Sequence, residues 1–266
     1  MTQFNELNLE SVRVPSFQER IEKLNHMIAD ARRIVFFTGA GISTGSGIPD
    51  FRSANGLYTA SEEKDPEYML SHTCLKMEPQ LFFQYLRNNM DFRNAEPNIA
   101  HLKISELQRA RNVSVITQNI DGLHEKAGSE VVDTIHGTMN RWYCVGCVED
   151  NFIPEDVLDG NYDNLDGVPK CPLCGGEYII RPDITLYEEG LPNLEWANAL
   201  IHAGAADLLI IVGTSLTVSP ANNIPYYANK SKTVIINKEP TWLDKDAGLV
   251  FHEDIGEVFE RIEIPE

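Results

Sequence analysis

Apolar and polar positions follow a helical period near the start of the chain. Within residues 19–33, Ile21, Leu24, Ile28 and Ala31 are separated by three or four positions, which places them on one face of an α-helix. The continuous apolar run IVFF follows at once, and such a run is typical of a strand that is buried on both faces. The pattern therefore predicts a helix that leads directly into the first strand.

The succession of a strand and a loop recurs further along the chain. A strand-like run at residues 113–116, which includes one serine, and apolar runs at 208–212 and 234–236 are each followed by polar or glycine-containing segments. Residues 193–206 and 255–262 supply amphipathic helices between or after these strands. Strands this apolar suit a parallel sheet that is covered by helices. The fold class that we predict is α/β, with a doubly wound parallel sheet.

Loops that follow the strands of such a sheet meet at one edge, where ligands bind. The first of these loops reads GAGISTGSGIPDFRS. Gly39 and Gly41 match the first two glycines of the dinucleotide pattern G-x-G-x-x-G, but Thr44 stands at the third position. The small residues would let backbone N–H groups approach a pyrophosphate. We therefore predict phosphate binding and disfavour a dehydrogenase turn.

The end of the first loop adds residues that a phosphate turn does not need. Asp50, Phe51 and Arg52 supply an acid, an aromatic cover and a fixed cation. Such a set could clamp a charged ring or a ribose.

The second loop, TQNIDGLH, places amides and a carboxylate at a strand end, and a histidine follows at position 136. Histidine is the usual acid or base near neutral pH. The residues alone leave His136 open between a structural and a catalytic role, and His124 is a competing candidate.

Four of the five cysteines form two pairs with metal-ligand spacing. Cys144 and Cys147 form one C-x2-C knuckle, Cys171 and Cys174 form the other, and 23 residues separate them. Two such knuckles facing each other make the tetrahedral sulfur cage that zinc prefers. Redox dithiols or reduced core cysteines would not explain a doubled knuckle in a polar, turn-rich segment. We predict one structural zinc and interpret Cys74 as a buried apolar residue.

The charge of the chain bears on its partners. With 40 Asp and Glu residues against 22 Lys and Arg residues, the formal net charge is −18, which disfavours nucleic acid and anionic membrane surfaces. No apolar run is long enough to span a bilayer, and the first residues lack the apolar core of a signal peptide. We expect a cytoplasmic protein. The sequence does not define the oligomeric state, for which a monomer is plausible.

Six features of the chain together resemble one protein family. They are GAGISTGSGIPDFRS, TQNIDGLH, the His-Gly pair at 136–137, the two C-x2-C knuckles, GTSLTVSPA and INKEPT. Their order and approximate spacing are similar to those of the sirtuins, the NAD-dependent protein deacylases. The resemblance extends over residues 17–262.

The resemblance implies two domains. A Rossmann-type NAD-binding domain would consist of residues 17–53, 101–139 and 183–262. A smaller domain would combine a helical module, residues 54–100, with a zinc-binding module, residues 140–182. The cleft between the domains would receive NAD and an acyl-lysine peptide.

The resemblance also implies cofactor contacts for individual residues. In the first loop, the implied residues are Gly39, Ala40, Gly41, Thr44, Asp50, Phe51 and Arg52. Gln118 and Asn119 would contact the nicotinamide-side ribose, and Ile120 and Asp121 would receive the nicotinamide amide. In the later loops, the implied contacts are Gly213, Thr214 and Ser215 for phosphate and ribose, Asn237 for the adenine-side ribose, and Ile255 for adenine.

The reaction implied by the resemblance is not a hydride transfer. Nicotinamide is expelled, and the acyl oxygen of the modified lysine captures C1′ of the ribose. His136, similar in position to the family's general base, would then activate a ribose hydroxyl, so that the acyl group passes to ADP-ribose and free lysine leaves. Asn119 would orient the ribose or a water, and Phe51 would shield the cationic centre from solvent.

The chain departs from the family at two places that bear on substrate choice. Tyr187 and Glu188 replace Phe and Gly in the loop that should pair with the substrate backbone. Glu188 could favour lysines flanked by basic residues, or it could be a merely solvated charge. Members that remove succinyl groups carry a Tyr and an Arg three residues apart, whereas Arg87 follows Tyr85 after two. We therefore expect neutral acyl groups.

Other functions remain open from the sequence. A protein ADP-ribosyltransferase of the same family is one, although a histidine at position 136 argues for deacylation. An NAD-binding sensor that uses its zinc module as a partner surface, without turnover, is another. A dehydrogenase is disfavoured by Thr44.

Overall fold

The computed structural model describes residues 15–50, 65–147, 152, 154–228 and 232–265. Phe51 and Arg52, two of the expected cofactor residues, lie outside this part of the chain. The described helices are α1 (Phe17–Asp30), α2 (Pro66–Met69), α3 (His72–Met77), α4 (Pro79–Asn89), α5 (Ile99–Ala110), α6 (Leu123–Lys126), α7 (Pro154–Leu158), α8 (Asn193–Ala205), α9 (Ile224–Tyr227) and α10 (Ile255–Phe259). The described strands are β1 (Ile34–Thr38), β2 (Val113–Thr117), β3 (Val132–Thr134), β4 (Gly137–Cys144), β5 (Ile180–Ile184), β6 (Leu208–Val212), β7 (Thr233–Ile236) and β8 (Leu249–Phe251).

In the described residues, six parallel strands form one sheet in the order β3-β2-β1-β6-β7-β8. β1 pairs with β2 on one side and with β6 on the other, so that Ile34 lies beside both Val113 and Leu208. This order is that of a doubly wound, Rossmann-type sheet. The predicted fold class is confirmed.

Successive side chains of the central strands pack on opposite faces of the sheet. Phe36 of β1 belongs to a cluster with apolar residues of α1, α5 and α10. Phe37, the next residue, belongs to a second cluster with residues of α8 and α9. Both rings are completely buried. Because helices cover both faces, every position of β1 has to be apolar or internally bonded, which explains the unbroken run seen in the sequence.

Helix α1 begins and ends slightly earlier than the prediction. Ser16 Oγ accepts from Glu19 N (3.3 Å), and Glu19 Oε2 accepts from Ser16 N (2.8 Å), so a capping box fixes the start. The predicted helix continued to residue 33. Instead, the backbone N–H groups of Arg32 and Arg33 both donate to Asp207 Oδ2 (3.1 Å each), which turns the chain into β1.

The last helix is also shorter than predicted. It covers Ile255–Phe259, whereas the sequence pattern extended to residue 262. Arg261 N donates to Val258 O (3.1 Å) and Ile262 N to Phe259 O (3.2 Å), so the chain continues as tight turns. These turns still bring Ile262, which is 2% exposed, into the core on the α1 face of the sheet.

A third hydrophobic cluster lies outside the sheet. It combines apolar residues of α2, α3 and α4 with residues of α7 and of the antiparallel pair β4–β5. Trp142 of β4 is 1% exposed, and its Nε1–H donates to Met139 O (2.8 Å). The described helices between the first loop and α5 therefore share one core with the segment that carries the paired cysteines.

An ion pair ties the loop after β5 to this cluster. Arg181, whose side chain is 6% exposed, donates to both carboxylate oxygens of Glu189 (2.6 and 3.0 Å). Glu189 also accepts from Leu186 N (2.9 Å), and its Oε1 lies 3.1 Å from His72 Nδ1. Burial alone would raise the pKa of Glu189, but these partners outweigh burial and lower the pKa to about 2.

Replacing Glu189 with glutamine should lower the free energy of unfolding by about 3 kcal/mol, because Arg181 would keep a buried charge without its partner. Urea denaturation at pH 7 measures this loss. Glu188→Gln is a matched control, since exposed Glu188 accepts from Thr73 N (2.9 Å) and Thr73 Oγ1 (2.7 Å), and glutamine keeps an acceptor there. Equal losses in the two variants would contradict a specific contribution of the Arg181–Glu189 pair.

None of the described helices combines the length and the apolar character that a membrane span requires.

Candidate active site

The loops after β1, β2, β6 and β7 meet at the carboxyl edge of the sheet, as the sequence predicted. Gly41 N donates to Gly213 O (2.8 Å), which joins the first loop to the loop after β6. Gln118 N donates to Thr38 O (3.0 Å), which joins the second loop to the end of β1, and Gly213 N donates to Ile236 O (3.0 Å). The edge is therefore one continuous surface built from four loops.

Glycines allow the first loop and the loop after β6 to touch. A Cβ on Gly39 would lie 2.7 Å from Thr214 Cβ, and a Cβ on Gly41 would lie 2.8 Å from Gly213 Cα. Gly213 has a φ of +63°, and a Cβ there would lie 2.3 Å from Ile42 N. Any larger residue would push the two loops apart. These glycines thus serve loop packing, in addition to the phosphate approach that we inferred from the sequence.

The first loop forms a 3₁₀ helix, Ala40–Ser46, where a dinucleotide turn would open a long α-helix. Thr44, at the position of the third glycine, is exposed, and its Oγ1 donates to Gly41 O (2.9 Å). Ala40 and Asp50 are half-buried. The loop therefore has a geometry of its own, in line with our view that it is not a dehydrogenase turn.

A buried hydroxyl joins the first and second loops. Ser43 is fully buried; its Oγ donates to Asp121 Oδ2 (2.7 Å) and accepts from Asn119 Nδ2 (3.1 Å). Asn119 Nδ2 also contacts Gly39 O (3.2 Å), and Asp121 Oδ1 accepts from Leu123 N (3.0 Å). Burial raises the pKa of Asp121, and these donors partly oppose it. Ser43 was not among the site residues expected from the sequence, although its hydroxyl within GAGIS was a signal that could have indicated it.

His136 is oriented at this edge by the backbone of the second loop. Its Nδ1 lies 2.9 Å from Gln118 O. Because a carbonyl oxygen can only accept, Nδ1 carries the proton and Nε2 of the neutral ring is unprotonated. Burial lowers the pKa of His136, and the bond to Gln118 opposes this only in part. The ring is therefore neutral near pH 7, with an unprotonated, basic Nε2 that has no hydrogen bond to the described residues.

Steric contact explains why a glycine follows His136. Gly137 has a φ of +79°, and a Cβ there would lie 2.1 Å from Asp183 O. His136 O accepts from Thr185 N (2.9 Å) on the same strand pair. A side chain at residue 137 would separate β4 from β5 and displace the histidine. This close approach accounts for the His-Gly pair.

Burial separates the two histidines that compete as candidate bases. His124 is 1% exposed, and its Nε2 lies 3.1 Å from the hydroxyl of Thr38, beneath the loops. His136 is half-buried at the loop surface. His124 thus has no surface to offer to a substrate, and the sequence contained no signal for this difference.

The other expected nicotinamide and phosphate contacts lie in the second loop and in the loop after β6. Ile120 is partly buried and packs against the third cluster. Thr214 Oγ1 accepts from Gln118 Nε2 (3.0 Å), which links the second loop to the loop after β6. Ser215 is exposed, and its Oγ lies 2.9 Å from Thr217 Oγ1.

The two expected adenine-side residues lie at the later strands. Asn237 follows β7, is 9% exposed, and donates from Nδ2 to Glu239 O (2.6 Å). His252 Nδ1 donates to Asn237 O (2.8 Å). Ile255 is the first residue of α10 and packs, partly buried, on the α1 face of the sheet.

The loop that was expected to pair with substrate already pairs within the chain. Tyr187 N donates to Leu70 O (3.0 Å), and His72 N donates to Tyr187 O (3.1 Å). Glu188 has a φ of +76° and bonds to Thr73 through its carboxylate. Glu188 is therefore not the merely solvated charge that the sequence left open, because it fixes this loop to α3.

The paired cysteines gather into one cluster, as predicted. The four Sγ atoms of Cys144, Cys147, Cys171 and Cys174 all lie within 4.8 Å of one another. Cys144 and Cys174 are 3.8 Å apart, and Cys147 and Cys171 are 3.6 Å apart. Tetrahedral zinc with bonds of about 2.3 Å separates its sulfurs by about 3.8 Å. The donors thus fit one zinc ion and leave no open coordination position.

The cysteine cluster is remote from His136. β4 begins at Gly137, beside the histidine, and ends at Cys144. β4 bulges between Thr138 and Trp142, and its partner β5 covers the same pairs in four residue steps, from Ile184 to Ile180, so the two ends are about 13 Å apart. A metal held here would stabilise the fold and would not take part in chemistry at the loop edge.

Comparisons with known proteins agree with this geometry. The Sir2 family model matches residues 39–220. The chain is 43% identical over 245 residues to the NAD-dependent protein deacetylase of Listeria monocytogenes serotype 4b, a match that covers 88% of this chain and 100% of that protein. A solved Sir2 complex with a peptide and NAD+ has a TM-score of 0.80 and 33% identity, covering 91% of this chain and 96% of that one. A Sir2 complex with a deacetylated peptide and 3′-O-acetyl ADP ribose has a TM-score of 0.83, also at 33% identity and the same coverage. The chain belongs to the Sir2 family, the sirtuins.

Proposed function

We propose that this chain is an NAD-dependent protein-lysine deacylase, which transfers the acyl group of a modified lysine to ADP-ribose and releases nicotinamide. The observation that carries the proposal is the tautomer of His136. Its Nδ1–H is held by Gln118 O, so a neutral Nε2 is free to take a proton where the four loops meet. The related Sir2 complexes with NAD+ and with an acetyl ADP ribose product support this chemistry.

The hydrophobic clusters support a division into two domains, because two clusters cover the two faces of the sheet and the third lies outside the sheet. The large domain would comprise residues 17–53, 101–139 and 183–262, and the small one the helical module, residues 54–100, and the zinc module, residues 140–182. The third cluster contains residues of both modules. A cleft between the domains would receive NAD and the acyl-lysine peptide. A cytoplasmic location stays a prediction of the sequence, which does not define the oligomeric state.

NAD would lie along the loop edge, where its bound form supplies an electrophilic ribose carbon once nicotinamide is released. Ile120 and Asp121 would receive the nicotinamide amide, and Gln118 and Asn119 the adjacent ribose. The phosphates, the second ribose and adenine would be held by residues already named from the family resemblance, and Phe51 would shield the cationic ribose carbon. The holding residues are Gly39, Ala40, Gly41, Thr44, Asp50, Arg52, Gly213, Thr214, Ser215, Asn237 and Ile255. The contacts of Ser43 with Asn119 and Asp121 suggest that it orients both of them.

His136 would act after the acyl oxygen has bonded to the ribose. Its Nε2 accepts the proton of a ribose hydroxyl, and the oxygen of that hydroxyl attacks the acyl carbon. The bond from the acyl carbon to the lysine nitrogen then breaks, and lysine leaves as an amine that has gained a proton. A water adds to the acyl carbon, which now bridges two ribose oxygens, and the bond from this carbon to the oxygen on C1′ breaks, so that the acyl ester stays on the ribose hydroxyl that attacked. Asn119 would orient the ribose or a water, and its side chain is already held by Gly39 O and Ser43.

The contacts of Arg87 support neutral acyl groups as substrates. Its guanidinium donates to Leu158 O (3.1 Å), Gly167 O (3.1 Å) and Val157 O (3.2 Å), and pairs with Asp163 (2.7 Å). These bonds use four of the five N–H donors of the guanidinium, and Asp163 pairs its charge. Arg87 is thus held by its own chain and is poorly placed to bind a succinyl or malonyl carboxylate. Competition between acetyl- and succinyl-lysine peptides would test this preference.

Replacing Asp121 with asparagine should weaken the handling of nicotinamide by roughly 1.5–3 kcal/mol, since a carboxylate accepts from the carboxamide while an amide can present its donor instead. We expect a higher Michaelis constant for NAD and weaker inhibition by nicotinamide. Asp166→Asn, at an exposed position in the cysteine-bearing segment, is the matched control. Unchanged values for both constants in Asp121→Asn would count against the assignment.

Incubation with NAD and a panel of acyl-lysine peptides, followed by mass spectrometry, tests the function directly. A deacylase removes the acyl mass and forms O-acyl-ADP-ribose, whereas an ADP-ribosyltransferase adds the ADP-ribose mass to a protein target. A sensor without turnover would release no nicotinamide. A change at the absorbance band of the reduced cofactor would point to a dehydrogenase instead.

A further inference from the structure

A second layer of buried polar side chains lies directly beneath the active-site loops. Thr38 is the last residue of β1, Thr117 is the last residue of β2, and the two are neighbours in the sheet. His101 of α5 and His124 of α6 lie next to them. All four are at most 2% exposed, so none of them can touch a substrate.

Hydrogen bonds connect this layer to Asn119. Asn119 N donates to Thr117 Oγ1 (3.1 Å), and Thr38 Oγ1 donates to Thr117 Oγ1 (2.9 Å). His124 Nε2 lies 3.1 Å from Thr38 Oγ1. The single hydroxyl proton of Thr38 is already given to Thr117, so Thr38 has to accept from His124. His124 therefore carries its proton on Nε2.

His101 has the same tautomer for an independent reason. Its Nδ1 accepts from Asn98 N (3.3 Å) in the cap of α5. Nδ1 is thus unprotonated, and the proton of the neutral ring is on Nε2. Burial lowers the pKa of His101 to about 4 and, together with the proximity of His101, lowers the pKa of His124 well below its ordinary value. Both rings are neutral at pH 7.

Each of the two rings has one nitrogen that lacks a hydrogen-bond partner among the described residues. His101 Nε2–H and His124 Nδ1 are buried and have no hydrogen-bond partner among the described residues. One is a donor and the other is an acceptor, and the ring centroids are 4.9 Å apart. Two unrelated buried groups left without partners would be costly. A donor and an acceptor on adjacent rings can satisfy each other through one ordered water.

We propose that His101 and His124 are a pair of positioning residues, which hold Asn119 in place through Thr38 and Thr117. The donor of His101 reaches the acceptor of His124 through one ordered water, and this fixes the proton of His124 on the side of Thr38. Thr38 and Thr117 then keep one hydroxyl orientation, and Thr117 accepts the backbone N–H of Asn119. The role in catalysis rests on the proposed function, whereas the tautomers and the coupling of the two rings do not.

The first test reads the tautomers in the zinc-loaded wild-type protein. Long-range 15N–1H spectra at pH 7.5 should show both His101 and His124 protonated on Nε2. Each signal is assigned by its loss in a single variant. A proton on Nδ1 of either ring overturns the proposal, whatever the enzyme does.

The second test separates positioning from packing by a rescue. His124→Phe keeps an aromatic ring but removes the donor to Thr38, and we expect kcat to fall about 10- to 100-fold, the range that small misplacements can cause, with little change in the Michaelis constant for NAD. His124→Gln restores an N–H donor near the same place and should recover most of the rate. His26→Gln, at an exposed position of α1, is the control.

The third test asks whether the two histidines act as one unit. If they do, the double variant His101→Phe, His124→Phe should lose about as much kcat as His124→Phe alone, because residues of one unit are not additive. Independent losses that multiply, an unchanged kcat in folded His124→Phe, or a glutamine no better than phenylalanine would each overturn the pairing. If the wild type fails to deacylate, the proposed function fails, and the tautomers still decide whether the pair exists.

Discussion

Replacing His136 with alanine should slow deacylation by about 100- to 10,000-fold, the range for loss of a positioned acid or base. Its unprotonated Nε2 is the basic nitrogen that the structure orients at the loop edge, through the bond from Nδ1 to Gln118 O. NAD should still bind, because the proposed phosphate and adenine contacts lie in other loops. Release of nicotinamide should persist better than deacylation, since the base acts after that step.

Steady-state rates with an acetyl-lysine peptide measure the loss, and titration calorimetry measures NAD binding. His26→Ala, an exposed histidine of α1, is the control, and it should keep the wild-type rate. We expect a milder effect from His124→Ala, because His124 would act only through other residues. Near-full activity in His136→Ala, together with abolished activity in His124→Ala, would show that His136 is not the base.

The dependence of the rate on pH follows from the same ring. Burial lowers the pKa of His136, and only the neutral form can accept a proton. The rate should therefore rise with pH through an apparent pKa below the ordinary value of about 6.5 and be level at neutral pH. A rate that still increases tenfold between pH 7 and pH 8 would contradict a base of this kind.

Removing the zinc should unfold the segment around the cysteines, because structural zinc supplies on the order of 10 kcal/mol in small modules. The Sγ atoms of Cys144, Cys147, Cys171 and Cys174 lie within 4.8 Å of one another. Without the ion, the bonds from zinc to the four sulfurs, which link the two knuckles, would be lost. We expect one zinc per chain in the folded protein, and loss of tryptophan near-UV dichroism on chelation.

Cys171→Ala and Cys74→Ala form a matched pair for this prediction. Both cysteines are fully buried, but Cys74 belongs to α3 and lies outside the cluster of four. Cys171→Ala should no longer bind zinc, and its third cluster should no longer unfold in one cooperative transition. Cys74→Ala should keep its zinc and lose only about 1 kcal/mol, as expected of a small core truncation. A stable Cys171→Ala protein without zinc would show that the metal is dispensable.

The sheet could be predicted because its signal is local. The runs IVFF and LLIIV are apolar at every position, and only burial on both faces explains such runs. β3 and β8 were missed, since three residues such as Val132–Thr134 are too short to display a period. The end of α1 was placed too late because a distant carboxylate, that of Asp207, binds the N–H groups that follow the helix.

The sequence could predict which residue types form the site, but not how deeply each residue is buried or which distant residues it contacts. Spacing alone grouped the four cysteines, because knuckles are local. His124 and His136 looked equivalent in the sequence, and only the packing of α5 and α6 beneath the loops buries one of them. Ser43 was overlooked because its partners, Asn119 and Asp121, are remote in the chain. The contacts of Arg87 with residues 157, 158, 163 and 167 are likewise non-local.

The central place of β1 determines the order in which the chain can fold. β1 ends at residue 38, and β6, its partner on one side, begins only at residue 208, after both inserted segments. Closing so long a loop costs entropy before strand pairing offsets it. During synthesis, β1, β2 and β3 can assemble while one edge of β1 still waits for β6, and an open apolar edge is a template for aggregation. We therefore expect chains released before residue 212 to aggregate, and refolding of the full chain to be limited by the docking of β6.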